Sequence, residues 1–206
     1  MKGLFITLEG GDGSGKSTIA RMLKEYYSHY EIVHTREPGG SVIAEKIRAL
    51  ILDPDNKVLD PKCEALLYAA SRRQHIVDTI IPALRKGAII ICERFLDSSL
   101  AYQGFGRELG FEEILNINLF AIENIMPDIT IYLDVDSKLG LERIENRLNK
   151  DRLDLETSDF HKRTQEGYKF INEYFKNRIH IIDANKNINE VFNDIKAIVD
   201  NFLKRK

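Results

Sequence analysis

Five short apolar runs rich in β-branched residues recur along the 206-residue chain, and a stretch with helical spacing follows each. The runs cover 4–9 (LFITLE), 31–35 (EIVHT), 88–93 (AIIICE), 128–135 (DITIYLDV) and 178–183 (RIHIID). This alternation narrows the fold more than any other feature. Strands joined by crossover helices pair in parallel, and helices then cover both faces of the sheet. AIIICE is continuously apolar, as a central strand buried on both sides requires. Helices are predicted over 18–30, 41–52, 60–87, 111–125, 137–148, 159–177 and 188–205. Ser41 and Asp60 are the expected N-caps of two of them, and Pro61 occupies a first helical position. Pro82 predicts a kink, and Gly87 a stop. No repeat, low-complexity tract or linker interrupts the pattern, so residues 1–206 read as one domain. Ligands in such sheets gather at the carboxyl ends of the strands, so residues just after strands carry most weight.

One such place is LEGGDGSGKST, beginning at Leu8. Gly10, Gly11, Asp12, Gly13, Ser14, Gly15, Lys16 and Ser17 match G-x-x-x-x-G-K-[ST] in full, between a predicted strand and a predicted helix. Glycines let backbone N–H groups close around phosphates, and the following helix turns its N-terminus toward the same anion. Lys16 would reach the β- and γ-phosphates, and the Ser17 hydroxyl would ligate Mg²⁺. Thr18 completes the set of nucleotide-contacting positions. Kinases, ATPases and GTPase switches all use such loops. A guanine-reading N-K-x-D is not met: Asn185-Lys186-Asn187-Ile188 has no aspartate in the fourth place.

The formal net charge is -2, so no global basic field points to nucleic acid. Two cysteines, Cys63 and Cys92, make neither a disulfide framework nor a zinc site, and the five histidines show no metal spacing. His75, near Arg72 on the long predicted helix, reads as a satisfied structural residue. No apolar run approaches the roughly 20 residues that span a bilayer, and the N-terminus lacks a secretory pattern. A cytoplasmic protein is expected.

Arginines follow the strands. Arg36 comes after the second, Arg94 after the third, Arg72 and Arg73 lie on the long helix, and Arg143, Arg147 and Arg152 surround a charged segment near 150. Cations converging on the carboxyl edge of the sheet point to a second anionic substrate beside the nucleotide.

The segments LEGGDGSGKST, TREPGGS, LLYAASRRQH, ERFLDSSLAYQG and DRLDLE stand in the order and at about the spacing seen in thymidylate kinases, and the chain resembles the bacterial form of that family over nearly its whole length. The resemblance implies a P-loop NTPase-like three-layer α/β sandwich with a five-stranded parallel sheet. It implies transfer of the γ-phosphate of ATP to dTMP with Mg²⁺, in a homodimer. It also implies roles for individual residues. Asp12 would accept a hydrogen bond from the deoxyribose 3′-OH. Tyr68 would stack on thymine where the family usually has Phe, Arg72 would bond the base, and Ser99 and Gln103 would read its remaining polar edge. Tyr102 would crowd the sugar C2′. Arg94, with Arg36 and Arg48, would hold the monophosphate. An aromatic face suits a base, and guanidinium forks suit a phosphate.

The attacking atom is an oxygen of a phosphate whose second pKa is about 6. No strong general base is needed, and catalysis reduces to positioning and charge neutralisation. The glycine loop itself carries no arginine, so RLNKDR is the expected source of further cations. A lid is expected at about 143–156, with Arg147 and Arg152 reaching the phosphates, Lys150 as a weaker candidate and Arg143 stacking on adenine. The family's usual Asp-Arg after the third strand is Glu93-Arg94 here, and Glu93 would still position Mg²⁺. The E-R pair and Glu37-Pro38 keep a deoxynucleoside kinase as the alternative, with Glu37 as general base. A nucleotide-binding switch is the alternative outside the kinases.

Overall fold

The computed structural model describes residues 3–136, 139–140 and 151–204. Strands β1 (Leu4–Glu9), β2 (Ile32–Arg36), β3 (Ile89–Glu93), β4 (Ile129–Asp134) and β5 (Ile179–Asp183) form one parallel sheet in the order β2-β3-β1-β4-β5. The helices are α1 (Lys16–Tyr26), α2 (Val42–Leu52), α3 (Pro61–His75), α4 (Ile81–Lys86), α5 (Leu96–Ser99), α6 (Phe111–Ile122), α7 (Ser158–Tyr174) and α8 (Ile188–Leu203). The helix expected over 137–148 lies outside the described residues apart from 139 and 140. The sheet and its flanking helices have the expected three layers.

Side chains alternate across each strand, so each face of the sheet has its own core. Leu4, Ile6 and Leu8 of β1 join Ile91 and Ile131 under Ile19 and Leu23 of α1 and Val191, Ile195 and Val199 of α8. Phe5, Ile90 and Cys92 face the other way, against Ile51, Ile76, Ile80, Ile114 and Ile122. Each of these side chains contributes roughly 1.5–3 kcal/mol by leaving water. Register brings the functional edge into line: Leu8 and Arg36 both stand opposite Glu93, so the carboxyl ends of β1, β2 and β3 finish level.

Two wide, π-type turns modify the predicted helices. The long helix expected over 60–87 is α3, a wide turn at Ile76–Ile80, and then α4. Pro82 has no N–H, and its ring crowds the carbonyl four residues back, so the ladder widens just before it instead of kinking sharply. Gly87, at φ 89, ends α4. The second wide turn, Leu100–Gly106, continues α5 and presents Tyr102 and Gln103. The periodicity of the sequence did not announce it.

Asp60 caps α3 as expected, accepting from the N–H groups of Lys62 and Cys63. Ser41 stands at the N-cap position of α2, but its side chain makes no cap bond and its Oγ is buried without a partner. Glu45 accepts the Gly40 N–H, just ahead of the helix, at 2.8 Å. Cys63 is exposed and Cys92 buried, both as free thiols, and burial pushes the Cys92 thiol well up. Among the described residues no helix is long and apolar enough to cross a membrane.

Candidate active site

The carboxyl ends of β1, β2 and β3 open into a cavity of about 640 Å³. Its walls run from the glycine loop, Asp12 to Thr18, to Tyr68, Arg72, Ser99 and Gln103 at the far end. Arg36, Glu37, Arg48, Glu93, Arg94 and Tyr102 also line it.

The glycine loop takes the conformation its composition allows. Gly10 has φ 135, and a Cβ there would meet the Leu133 carbonyl oxygen at 2.6 Å. Gly15, at φ 94, stands at the N-cap of α1 in the left-handed region, where a β-carbon is costly. Lys16 is buried and folds back on the loop, donating to the Gly10 and Gly11 carbonyls at 3.0 and 2.7 Å and to Ser14 Oγ at 3.2 Å. Burial and the Arg94 charge lower its pKa to about 7, against the opposing pull of Asp12, Glu9 and Glu93.

Arg94 sits at the join of the two ends. It follows β3 with φ 66, a conformation that costs a non-glycine residue roughly 1–2 kcal/mol. Its guanidinium donates to Asp12 at 2.6 Å and to the Gly10 carbonyl at 3.1 Å, and lies 5.1 Å from the centre of the Tyr102 ring. Tyr102 donates its hydroxyl to the other Asp12 oxygen at 3.0 Å. Burial would raise the Asp12 pKa, but the charges of Arg94 and Lys16, with the bonds from Arg94 and Tyr102, hold it well below the usual carboxylate range.

The base-reading candidates stand on α3 and the second wide turn. Arg72 is 2% exposed. Its Nε donates to Glu37 at 2.7 Å, Nη1 to Asn118, and Nη2 to the Phe95 carbonyl at 2.9 Å and Ser99 Oγ at 3.1 Å. That leaves one Nη1–H of its five donors for a ligand. Glu37 shares its second oxygen with His75 Nδ1 at 2.9 Å, and Thr35 pairs with His75 Nε2 at 2.8 Å. His75 is therefore the satisfied structural residue expected. Glu37, held by Arg72 and His75 together, is occupied as a scaffold, which counts against a general-base role. Tyr68 is buried at the cavity wall, and burial pushes its hydroxyl pKa up.

Arg36 pairs with Glu45 at 3.0 Å, and Arg48 donates to the Pro38 carbonyl at 2.7 Å. Both still line the cavity. Glu93 accepts from Ser17 Oγ at 2.5 Å and pairs with His34 Nε2 at 2.8 Å. Burial would raise the Glu93 pKa, but the bonds from His34 and Ser17 lower it on balance.

Arg152 corrects an expectation. It is 7% exposed and ion-paired with Glu64 at 2.7 Å, with Nε on the Ile51 carbonyl. A guanidinium committed to a buried carboxylate is structural, not a cation free to reach phosphates. Arg143, Arg147 and Lys150 lie outside the described residues.

Sequence reading missed four residues. Glu9 ends β1 and accepts from Phe95 N–H at 2.7 Å and Ser98 Oγ at 2.6 Å, fixing the chain that follows Arg94. Burial and Asp97 raise its pKa. Its place at a strand end was the available signal. Glu64 lies on one helical face with Tyr68, Arg72 and His75, a spacing of four, four and three residues that was also legible. Tyr168 bonds Glu9 and Ser98, and Asn118 bonds Arg72, from helices distant in sequence, where no local signal existed.

The thymidylate kinase family model matches residues 8–195 of this chain. A curated thymidylate kinase of Anoxybacillus flavithermus is 52% identical over 209 residues, covering 100% of both chains. One of Clostridium novyi is 50% identical, covering 96% of this chain and 98% of the relative. A crystal structure of thymidylate kinase from Ehrlichia chaffeensis superposes with a TM-score of 0.80 at 34% identity, over 97% of this chain and 99% of that one.

Proposed function

Because the chain belongs to the thymidylate kinase family, we propose that it transfers the γ-phosphoryl group of ATP to dTMP, giving ADP and dTDP. The observation that carries this reading is one cavity lined both by a phosphate loop and by an aromatic-amide-guanidinium set, with Arg94 bonded to the loop and lying over the Tyr102 ring. An oxygen of the dTMP phosphate attacks the γ-phosphorus, the bond to the β–γ bridging oxygen breaks, and ADP leaves. The attacking oxygen is already ionised near neutral pH, since its second pKa is about 6. Binding near Lys16 brings negative charge to a buried amine whose pKa is about 7, and so restores its proton. Arg94, with Arg36 and Arg48, holds the acceptor phosphate. Asp12, whose carboxylate retains lone pairs beyond those used by Arg94 and Tyr102, receives the sugar hydroxyl.

Ser17 and Glu93 fit a Mg²⁺ site. They are adjacent oxygen donors beside the loop, and among the described residues no larger acidic or histidine cluster competes. Mg²⁺ prefers one or two protein oxygens completed by phosphates and water. When bound, it would neutralise charge on the phosphates.

The reading also includes one domain over 1–206, a lid at about 143–156 bearing Arg143 and Arg147, a cytoplasmic location and a homodimer. Phe120, 88% exposed on α6, with Leu66 of α3 and Val77 beyond it, supports the dimer, since a large apolar side chain in water favours a covered face. The deoxynucleoside kinase alternative loses ground because its proposed base, Glu37, is already held by Arg72 and His75.

The deciding experiment is ADP release with MgATP and a panel of acceptors: dTMP, dUMP, dCMP, dGMP, thymidine and none. Turnover that depends on dTMP is expected. Turnover with thymidine but not dTMP, or release independent of any acceptor, overturns the reading.

A further inference from the structure

We propose that Glu64 is a positioning residue that sets which way the Gln103 side-chain amide faces, and so selects a pyrimidine whose ring nitrogen bears a hydrogen. The proposal rests on reading the cavity as the dTMP site.

Glu64 is fully buried on α3 and does not line the cavity. Two guanidinium groups hold it. Arg152 donates to Oε2 at 2.7 Å, and Arg107 approaches the same oxygen at 3.0 Å. Arg152 is itself anchored by the Ile51 carbonyl at 2.9 Å, and its backbone N–H by the Leu52 carbonyl at 3.1 Å. Arg107 reaches across to Glu156 as well. The carboxylate is thus held by two guanidinium groups from separate parts of the chain, each anchored in turn elsewhere.

Its other oxygen accepts from Gln103 Nε2 at 2.8 Å. A carboxylate paired with two guanidinium groups offers only acceptors, so the amide must present its NH₂ there. The planar amide then turns its carbonyl oxygen the other way. That oxygen, Gln103 Oε1, is buried and has no hydrogen-bond partner, in a side chain that lines the cavity. A buried, unpaired acceptor beside a binding cavity is completed by a ligand donor. The imide N–H of thymine or uracil is such a donor. The matching ring nitrogen of cytosine carries a lone pair, and would face Oε1 acceptor to acceptor. Were the amide free to turn over, its NH₂ would serve cytosine equally well. The glutamate removes that freedom without touching the substrate.

The test compares wild type, Glu64→Gln and Glu64→Asp for kcat and KM with dTMP and dCMP, and for the KM of ATP. A glutamine at 64 can offer either a donor or an acceptor, so the Gln103 amide is released to turn. The dTMP-to-dCMP ratio of kcat/KM should fall by about tenfold, through KM for dTMP more than through kcat, because the hydrogen bond at the ring nitrogen, one of the features that distinguish the two bases, is no longer directed. The KM of ATP should stay within about twofold. Glu64→Asp keeps the charge that Arg107 and Arg152 require but draws it back from Gln103, so the ratio should fall about threefold in a normally folded protein. A general loss of structure would lower both substrates together and raise the KM of ATP. Should Glu64→Gln fail to fold, the aspartate variant decides alone. A ratio within about twofold of wild type in the folded variants overturns the proposal. Wild type failing to use dTMP at all overturns the functional reading itself. Normal wild-type turnover with unchanged selectivity in the variants overturns only the role of Glu64.

Discussion

Replacing Arg94 separates its structural and functional roles, because alanine and glycine remove the same guanidinium from a backbone at φ 66. Both variants lose the 2.6 Å pair with Asp12, whose partners are 17% and 24% exposed. Breaking a fully buried pair costs about 3–5 kcal/mol, and partial exposure lowers that to about 2–3 kcal/mol here. Alanine keeps the left-handed strain. Glycine relieves roughly 1–2 kcal/mol of it and gives back about 0.5–1 kcal/mol in chain entropy. Arg94→Gly should therefore melt about 2–4 °C above Arg94→Ala, the shift expected for about 1 kcal/mol in a chain of this size. Kinetics should not follow that order. Two charge-assisted bonds to the acceptor phosphate, each about 1.5–3 kcal/mol, correspond to a loss of about 10²–10⁴ in kcat/KM for dTMP in both variants. The KM of ATP should change less than about threefold, since the proposed donor contacts, Lys16 and the loop amides, are left in place. Differential scanning calorimetry and steady-state kinetics with each substrate varied provide the readout. Equal losses for ATP and dTMP would place Arg94 on the donor and refute the assignment. Equal melting temperatures for the two variants would refute the strain argument.

Binding of MgADP should take up about half a proton at pH 7 and less at pH 6, because Lys16 has a pKa of about 7 and regains its charge beside phosphate; calorimetry in buffers of different ionisation enthalpy measures the uptake, and buffer-independent heats would exclude it. The same group makes the free protein more stable as pH rises from about 7 to about 10, where the unfolded chain holds the extra proton, and Lys16→Met should flatten that rise in denaturant titrations. Glu93→Ala should raise the Mg²⁺ concentration for half-maximal turnover by about tenfold while leaving kcat at saturating metal within about tenfold, as expected for one of two protein oxygens; an unchanged Mg²⁺ titration would remove Glu93 from the metal site. Tyr68→Ala should raise the KM of dTMP by about 10–100-fold, the worth of stacking one base, and Tyr68→Phe by less than threefold; a larger effect in Tyr68→Phe would show that the hydroxyl reads the base.

The structure narrows what the two ends of the cavity have in common. Glu9, Asp12, Glu37, Glu64 and Glu93 each hold at least one cationic or hydroxyl side chain in place. The site is built from acids that orient donors, not from acids that remove protons. That suits a reaction whose nucleophile arrives ionised.

Much of this was legible locally. The strand-loop-helix unit at Gly10–Ser17 depends on backbone angles that only glycine adopts cheaply and on one lysine at fixed spacing, both properties of adjacent residues. The Asp60 cap, the start at Pro61 and the stop at Gly87 are decided within a turn of chain. Apolar runs rich in β-branched residues, each followed by helical spacing, placed all five strands to within a residue or so and with them the parallel sheet, because crossover helices join strands in parallel. Arg36, Glu93 and Arg94 could be chosen over other charges because strand ends converge in such a sheet.

Other features depended on partners far along the chain. Arg152 looked like a lid cation in a charged stretch, and folding gave it Glu64, 88 residues away. Ser41 occupied a cap position by sequence, yet its side chain makes no cap bond and its buried Oγ has no partner. Arg72 looked like a free base-reading donor, and packing took four of its five N–H groups. Tyr168, 159 residues from Glu9, carried no local sign of its role. The amino-acid order alone determined the strands, the phosphate loop and the side of the sheet where chemistry would occur, since these follow from backbone preferences and periodicity over a few residues. Which charges are free to meet a substrate and which are spent on one another was decided only in the tertiary structure, because pairing depends on the distance between side chains and on their burial, and neither is a property of neighbouring residues.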